Sequence, residues 1–211
     1  MNREDIPMLD NGLIYFDNGA TTLKPKPVID SIVDYYSNYC ANAHRGDYKN
    51  SLKVDDAYEG VRDKIKKFIN ASDRSEIVFT SGATDSLNRV IFGYFGKYLK
   101  KDDEVLLTES EHASNILPWF YLEKAIGIKV KYIKLNEDNE VTIENVKKAI
   151  SDKTRVISLA YITNVVGDIR PIRQICELAH SKDILVVVDG AQSISHIKTD
   201  VQVDDIDFLA C

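Results

Sequence analysis

Short apolar runs alternate with amphipathic segments along most of this chain, from about residue 70 onward. A run of about four to eight apolar residues is typical of a buried strand, and apolar residues at intervals of three and four are typical of a helix. The pattern predicts strands in the runs EIVFT, EVLLT, VKYIKL, RVISLAY, ILVVV and DFLA, and helices at about 84–97, 111–125, 142–150 and 171–181. This alternation predicts an α/β fold in which a mostly parallel sheet carries helices on both faces.

The part of the chain before residue 70 has a different pattern. Residues 1–27 are irregular, with an Asn-Gly pair and closely spaced prolines that favour turns. Amphipathic helices are predicted at 28–40 and about 54–69, because apolar residues recur there at helical spacing. We therefore divide the chain into an N-terminal arm with helices, residues 1–69, and a large α/β domain, residues 70–211.

Composition narrows the range of partners. Of the 211 residues 44% are hydrophobic and 28% are charged, and the formal net charge of −6 argues against a nucleic-acid partner. No run approaches the roughly 20 apolar residues of a membrane span, and the first ten residues do not resemble a signal peptide, so we expect a cytoplasmic protein without a membrane partner. The three cysteines lack metal-ligand spacing, so no metal site is expected and reduced thiols are favoured.

Polar residues follow four of the predicted strands. In open α/β sheets, ligands bind beyond the carboxyl ends of the strands. A single polar strand end means little, but together these four offer a glycine turn, a histidine, an asparagine, and an aspartate with a glutamine. The sequence therefore predicts a ligand site formed by the segments TSGATDSLN, ESEHASN, TNVVGD and DGAQS.

Two of these segments allow more than one interpretation. The turn at Gly82, Ala83 and Thr84 leads from a predicted strand into a helix, an arrangement that directs free backbone amides at an anion. Taken alone, however, this motif favours an ordinary turn with a hydroxyl residue at the helix start. His112 either lies against an aromatic ligand and moves a proton, or is a partly exposed histidine at the beginning of a helix.

Asp189 closes the apolar run ILVVV, where an unpaired carboxylate is costly. It could cap the following segment, or it could meet a protonated ring nitrogen of a bound heterocycle. The second arrangement would keep that nitrogen charged and make the ring an electron sink. Gln192 and Asn164 could then donate hydrogen bonds to a ring oxygen.

Taken together, these motifs resemble a known family. The segments IYFDNGATT, NAHRGDY, IVFTSGATDSLN, ESEHASNILPW, TNVVGDIRPI and VVVDGAQSISH are similar, in order, to those of class V aminotransferases, pyridoxal 5'-phosphate (PLP) enzymes of fold type I. More narrowly, the chain resembles the SufS-type cysteine desulfurases. The resemblance implies a truncated fold type I large domain from an enzyme that converts cysteine to alanine. The sulfur would remain as an enzyme-bound persulfide for iron–sulfur cluster assembly or another sulfur transfer.

The resemblance also implies roles for individual residues around the cofactor ring. Asp189 would pair with the pyridine nitrogen of PLP. Gln192 and Asn164 would contact its phenolic oxygen, and His112 would stack on the ring as the catalytic histidine. The implied partners are cysteine as the small-molecule substrate, a second subunit in a homodimer, and a sulfur-acceptor protein.

The remaining implied contacts concern the cofactor phosphate and the substrate. Thr84 and the backbone of Gly82–Ala83 would hold the phosphate, and the family more often has a hydroxyl residue where this chain has Ala83. The resemblance places the substrate next to the N-terminal segments, and the residues implied there are Ala20, His44 and Arg45.

Two parts of the family pattern are not found in these 211 residues. The Schiff-base lysine would follow a few residues after DFLAC, and the sulfur-accepting cysteine would lie further downstream. We therefore expect the chain to be an N-terminal portion that is itself inactive. Two alternatives remain: another class V PLP enzyme, namely an aminotransferase, a lyase or an epimerase, or a non-catalytic scaffold that keeps the fold.

Overall fold

The computed structural model describes residues 2–211, so only Met1 of the predicted arm lies outside the described residues. The chain divides into two compact units, residues 1–65 and 66–211. The boundary predicted from the sequence, between residues 69 and 70, lies near this division, and the functional assignment of the two parts stays a prediction.

The first unit is mainly helical. Helix α1 spans Lys26–Asp34 and passes into a π-helical turn at Tyr35–Tyr39, and helix α2 spans Lys49–Phe68 and runs into the second unit. Proline early in α1 suits a helix start, because the first amide groups of a helix have no intrahelical partner. Both predicted N-terminal helices are therefore present.

The second unit contains a five-stranded parallel sheet in the order β2-β1-β3-β4-β5. The strands are β1 at Glu104–Leu107, β2 at Lys129–Tyr132, β3 at Thr154–Ala160, β4 at Leu185–Asp189 and β5 at Phe208–Ala210. The helices are α3 at Ala83–Asn88, which continues through a π-helical segment at Arg89–Phe95 into α4 at Gly96–Tyr98, then α5 at Ala113–Ile126, α6 at Ile143–Ala149 and α7 at Ile172–His180.

Helices cover both faces of this sheet, because alternate residues of each strand point to opposite sides. On one face, Leu106 and Ile157 pack in a buried cluster with residues of α6 and α7. On the other face, Val105 and Val187 pack with residues of α3 and α5, including Trp119. The predicted two-sided α/β arrangement is confirmed.

The predicted strand EIVFT is wrong. Its first residue belongs to a 3₁₀ turn at Arg74–Glu76, and the residues that follow form no regular element. Ile77 is buried but Val78 is 71% exposed. A short apolar run becomes a strand only when it pairs with another strand, and the local pattern does not specify that pairing.

The strand order also fixes where a ligand would bind. The chain moves outward from β1 to β2 and then returns to the other side of β1 to form β3. A crevice forms beyond the carboxyl ends of two strands where the order reverses in this way. The loops after β1 and β3 flank this point.

Candidate active site

Asp189 is the last residue of β4 and is buried, with 5% of its surface exposed. Its Oδ1 accepts a hydrogen bond of 3.0 Å from the Ala191 amide. Burial raises the pKa of the Asp189 carboxyl; this hydrogen bond and the charges of His112 and Arg170 act in the opposite direction. A bound cation at this carboxylate would therefore relieve an electrostatic cost.

A buried ion pair lies beside the turn after β1. The guanidinium of Arg170 contacts the Glu111 carboxylate, and both side chains are fully buried. Glu111 Oε2 also accepts hydrogen bonds from the Ala160 amide at 2.7 Å and from Asn115 Nδ2 at 2.9 Å. Ala160 is the register partner of Asp189. Glu111 thus ties the segment that carries His112 to the strands beside Asp189.

Arg170 reaches back to the same turn with its second amino group. Its Nη2 donates hydrogen bonds to the hydroxyls of Thr108 at 2.9 Å and Ser110 at 2.7 Å. Thr108 in turn donates to Glu111 at 2.7 Å. A charged pair removed from water is tolerated when hydrogen bonds satisfy its remaining polar groups, and these contacts supply most of them.

His112 is the N-cap residue of α5. Its ring Nδ1 accepts a hydrogen bond of 3.2 Å from the Ser114 amide, which satisfies one of the free amides of the first helical turn. Nδ1 is therefore an acceptor in this arrangement, which leaves Nε2 as the ring nitrogen that carries a proton. The ring is exposed.

Thr84 is joined to the same place through Ser114. The Thr84 hydroxyl lies 2.7 Å from the Ser114 hydroxyl, which lies 3.0 Å from Nδ1 of His112. Thr84 lines a cavity of about 560 Å³ together with Gly82 and Ala83. The first turn of α3 and the first turn of α5 are thereby linked by hydroxyl groups.

Gly82 precedes α3 in a backbone conformation that side chains disfavour. Its φ of 144° and ψ of 177° lie in a region that is essentially restricted to glycine. The glycine at this turn thus has a conformational reason. Nothing approaches the position that a Cβ would occupy, so the requirement comes from the backbone and not from packing.

Asn164 and Gln192 are placed at this edge of the sheet by the turns after β3 and β4. Asn164 is exposed in the turn, where the Gly167 amide donates to the Thr163 carbonyl at 3.1 Å. Gln192 is half-buried, and its backbone carbonyl oxygen accepts a hydrogen bond of 2.6 Å from Nδ1 of the His196 ring. Their predicted contacts with a ring oxygen stay predictions.

The predicted substrate residues belong to the first compact unit. Ala20, His44 and Arg45 are all exposed. The His44 ring lies against α2, with Nε2 at 3.3 Å from Glu59 and Nδ1 at 3.7 Å from Asp55. His44 is thus engaged with two carboxylates, and its role with a substrate stays a prediction.

A second histidine pairs with carboxylates at the amino-terminal ends of β4 and β5. His180 ends α7, and its Nδ1 and Nε2 lie 2.8 Å from Asp205 and 2.9 Å from Asp207. Asp207 also accepts a hydrogen bond of 2.7 Å from the Val186 amide near the start of β4. Burial acts to lower the pKa of His180, but the two aspartates outweigh it and the pKa is raised.

Hydrogen bonds through Ser114 therefore join Thr84 to His112 among the predicted site residues, and Glu111 links the segment of His112 to Ala160, the register partner of Asp189. Sequence reasoning missed Ser114, which lies inside a motif that it had selected. The sequence feature that could have identified Ser114 is a hydroxyl residue two positions after a histidine at the start of a predicted helix. It also missed Arg170, whose partner is 59 residues away.

Polar side chains that the fold gathers at the carboxyl ends of parallel strands are typical of α/β proteins that bind small ligands, and this chain is of that class. The family model for class V aminotransferases matches residues 14–211, and the chain belongs to this family. The family predicted from the motifs is confirmed.

Individual relatives agree with this assignment. The chain is 42% identical over 219 residues to a probable cysteine desulfurase of Halalkalibacterium halodurans, covering 100% of this chain and 54% of that protein. It is 44% identical over 213 residues to a probable cysteine desulfurase of Borreliella burgdorferi, covering 98% and 50% of the two chains. The chain thus spans about half the length of the curated relatives it matches.

A solved structure supports the fold. The apo cysteine desulfurase of Thermococcus onnurineus matches with a TM-score of 0.92 and 36% identity, over 98% of this chain and 51% of that chain. The predicted α/β fold is therefore confirmed at the level of the whole backbone. No helix in residues 2–211 combines the length and the apolar character that a membrane crossing requires.

Proposed function

We propose that this chain carries the cofactor site of a PLP-dependent cysteine desulfurase, which converts cysteine to alanine and passes the sulfur on as a persulfide. The observation that carries the proposal is the buried Asp189 carboxylate at the end of β4. Its raised pKa reflects burial, and a protonated pyridine nitrogen is a cation that fits this position.

The residues present also suit the rest of the cofactor. Gly82, Ala83 and Thr84 line a cavity at the start of α3, where backbone amides and a hydroxyl suit a phosphate. Asn164 and Gln192 would donate hydrogen bonds to the phenolic oxygen. PLP would supply an electron sink for the bonds broken at the substrate α-carbon.

The chain's own side chains would then perform two tasks. Asp189 would hold the ring-nitrogen proton, and its burial would strengthen that ion pair. His112 would lie on the ring with Nε2–H directed away from the helix, because Nδ1 is occupied by the Ser114 amide. That Nε2 proton is the one that His112 can move.

Cys176 is not the sulfur-accepting thiol in this proposal. It is buried on α7, and burial raises the pKa of its thiol to about 12, so the reactive thiolate is scarce near neutral pH. Ala20, His44 and Arg45 are proposed to contact the cysteine substrate. A homodimer, a sulfur-acceptor protein, a role in iron–sulfur cluster assembly and a cytoplasmic location belong to the same proposal.

The test compares binding with turnover. We would titrate the 211-residue chain with PLP and with pyridoxal, and measure sulfide release from cysteine by any longer protein that contains this sequence. We expect weak, non-covalent binding of PLP to the chain, and sulfide release by the longer protein. Asp189→Asn should weaken PLP binding, whereas Asp138→Asn, at an exposed turn, should not.

Each other outcome has a definite meaning. PLP binding without sulfide release would point to a different class V reaction, such as transamination, a lyase reaction or epimerisation. No PLP binding by the chain or by the longer protein would favour a scaffold. A borohydride-stable adduct at one specific lysine of the 211-residue chain would contradict the expected non-covalent binding.

A further inference from the structure

Ser114 occupies a position between two residues of the proposed site. Its hydroxyl is 2.7 Å from the Thr84 hydroxyl on α3 and 3.0 Å from Nδ1 of His112. Its amide independently donates to the same Nδ1 at 3.2 Å. The ring is thus held by the backbone, and the hydroxyl is available to connect it to α3.

The direction of these hydrogen bonds follows from proton counting. Each hydroxyl has one proton, and the unprotonated Nδ1 can only accept. Without a ligand, a consistent chain runs from Thr84 to Ser114 to Nδ1. If the Thr84 hydroxyl donates its hydrogen bond to an anion, the Thr84 oxygen can accept a hydrogen bond from the Ser114 hydroxyl. The Ser114 proton then points towards Thr84 and away from Nδ1. The anion would then change the hydrogen bonding of a ring that it does not touch.

We propose that Ser114 is a positioning residue that couples an anion held at Thr84, in the first instance the phosphate of PLP, to the ring of His112. The part that concerns PLP rests on the proposed function. The contact between the Ser114 hydroxyl and Nδ1 does not, because it exists in the ligand-free chain. Through this link, the state of the phosphate site sets how firmly the ring of the catalytic histidine is held.

The test uses histidine labelled with ¹⁵N in the 211-residue chain, with the His112 signal assigned by the His112→Gln variant. The Nδ1 resonance is followed at one pH at which the ring is neutral, before and after addition of inorganic phosphate, PLP or pyridoxal. Ser114→Ala removes the hydroxyl and keeps the backbone amide, and Ser114→Thr restores a hydroxyl. Ser86→Ala is the matched control, because it removes a comparable 2.8 Å hydroxyl pair with Thr80 next to the same helix.

We expect Ser114→Ala to shift the Nδ1 resonance of the ligand-free chain. Phosphate and PLP, but not pyridoxal, should shift it in the wild type, in Ser114→Thr and in Ser86→Ala, and much less in Ser114→Ala. Loss of one linking hydrogen bond should also weaken PLP binding by roughly 2- to 10-fold.

Equal resonances for wild type and Ser114→Ala, with and without phosphate, would overturn the coupling and leave the proposed function standing. A response to pyridoxal equal to that to PLP would overturn the assignment of the trigger to the phosphate. Failure of the wild type to bind either phosphate compound would overturn the ligand part of the coupling together with the proposed cofactor. The ligand-free comparison would still decide whether the hydroxyl contacts the ring.

Discussion

Removal of the Arg170 guanidinium should destabilise the second unit strongly. Arg170 and Glu111 are both fully buried, so Arg170→Met would leave a carboxylate in the interior without its counter-charge. Breaking a buried ion pair in this way costs about 3–5 kcal/mol. We expect about 3 kcal/mol, the lower end, because donors from Thr108, Asn115 and the Ala160 amide would still reach Glu111.

The free energy of unfolding can be measured by urea denaturation, with fluorescence of the single, fully buried Trp119 as the probe. Arg173→Met is the matched control, because its pair with Glu177 is about 60% exposed and should cost less than about 0.5 kcal/mol. Adding Glu111→Gln to Arg170→Met should recover part of the loss, since the uncompensated charge is removed. A single Arg170→Met variant as stable as the control would refute the reasoning.

Three further predictions use the same unfolding measurement. Asp189→Asn should stabilise the ligand-free chain at pH 7, and the gain should disappear as the pH falls below the folded-state pKa, because a raised carboxyl pKa opposes folding only where the group is ionised. The pKa of His180 is raised in the folded chain, so its contribution to the free energy of unfolding should be complete at a pH below its ordinary pKa near 6.5. That contribution should be lost as the pH rises through the folded-state pKa, and His180→Gln should abolish this pH dependence. Gly82→Ala should cost about 1–3 kcal/mol through its backbone conformation, whereas Gly60→Ala, inside α2, should stabilise by about 0.5–1 kcal/mol; equal effects of the two would contradict the conformational argument.

Local patterns predicted most of the sheet and its covering helices. The run ILVVV became β4, which begins and ends one residue later than predicted and so includes Asp189 itself. Apolar runs report burial directly, which explains why five of the six predicted strands form. The sixth, EIVFT, failed because strand pairing depends on residues that are distant in the sequence.

The site was predictable only in part, for the same reason. Strand ends can be read from the sequence, and the structure has Asp189 at the end of β4 and His112 in the loop between β1 and α5, while their roles stay predictions. Glu111 lies in the loop after β1 and Arg170 lies after β3, so their ion pair joins segments that are distant in the sequence. No local sequence pattern indicates that an arginine will be buried. The contact of Ser114 with Thr84 likewise arises where two helices meet.

The capping of α5 by the ring of His112 complicates a common experiment. An alanine at this position removes the imidazole and also frays the start of the helix, a loss of roughly 0.5–2 kcal/mol that has nothing to do with proton movement. Asparagine is a good N-cap residue and carries no titrating ring. Comparing the two variants therefore separates a defect caused by loss of the helix cap from a defect caused by loss of the imidazole. Both replacements are therefore needed at His112, which caps α5 and is proposed to move a proton.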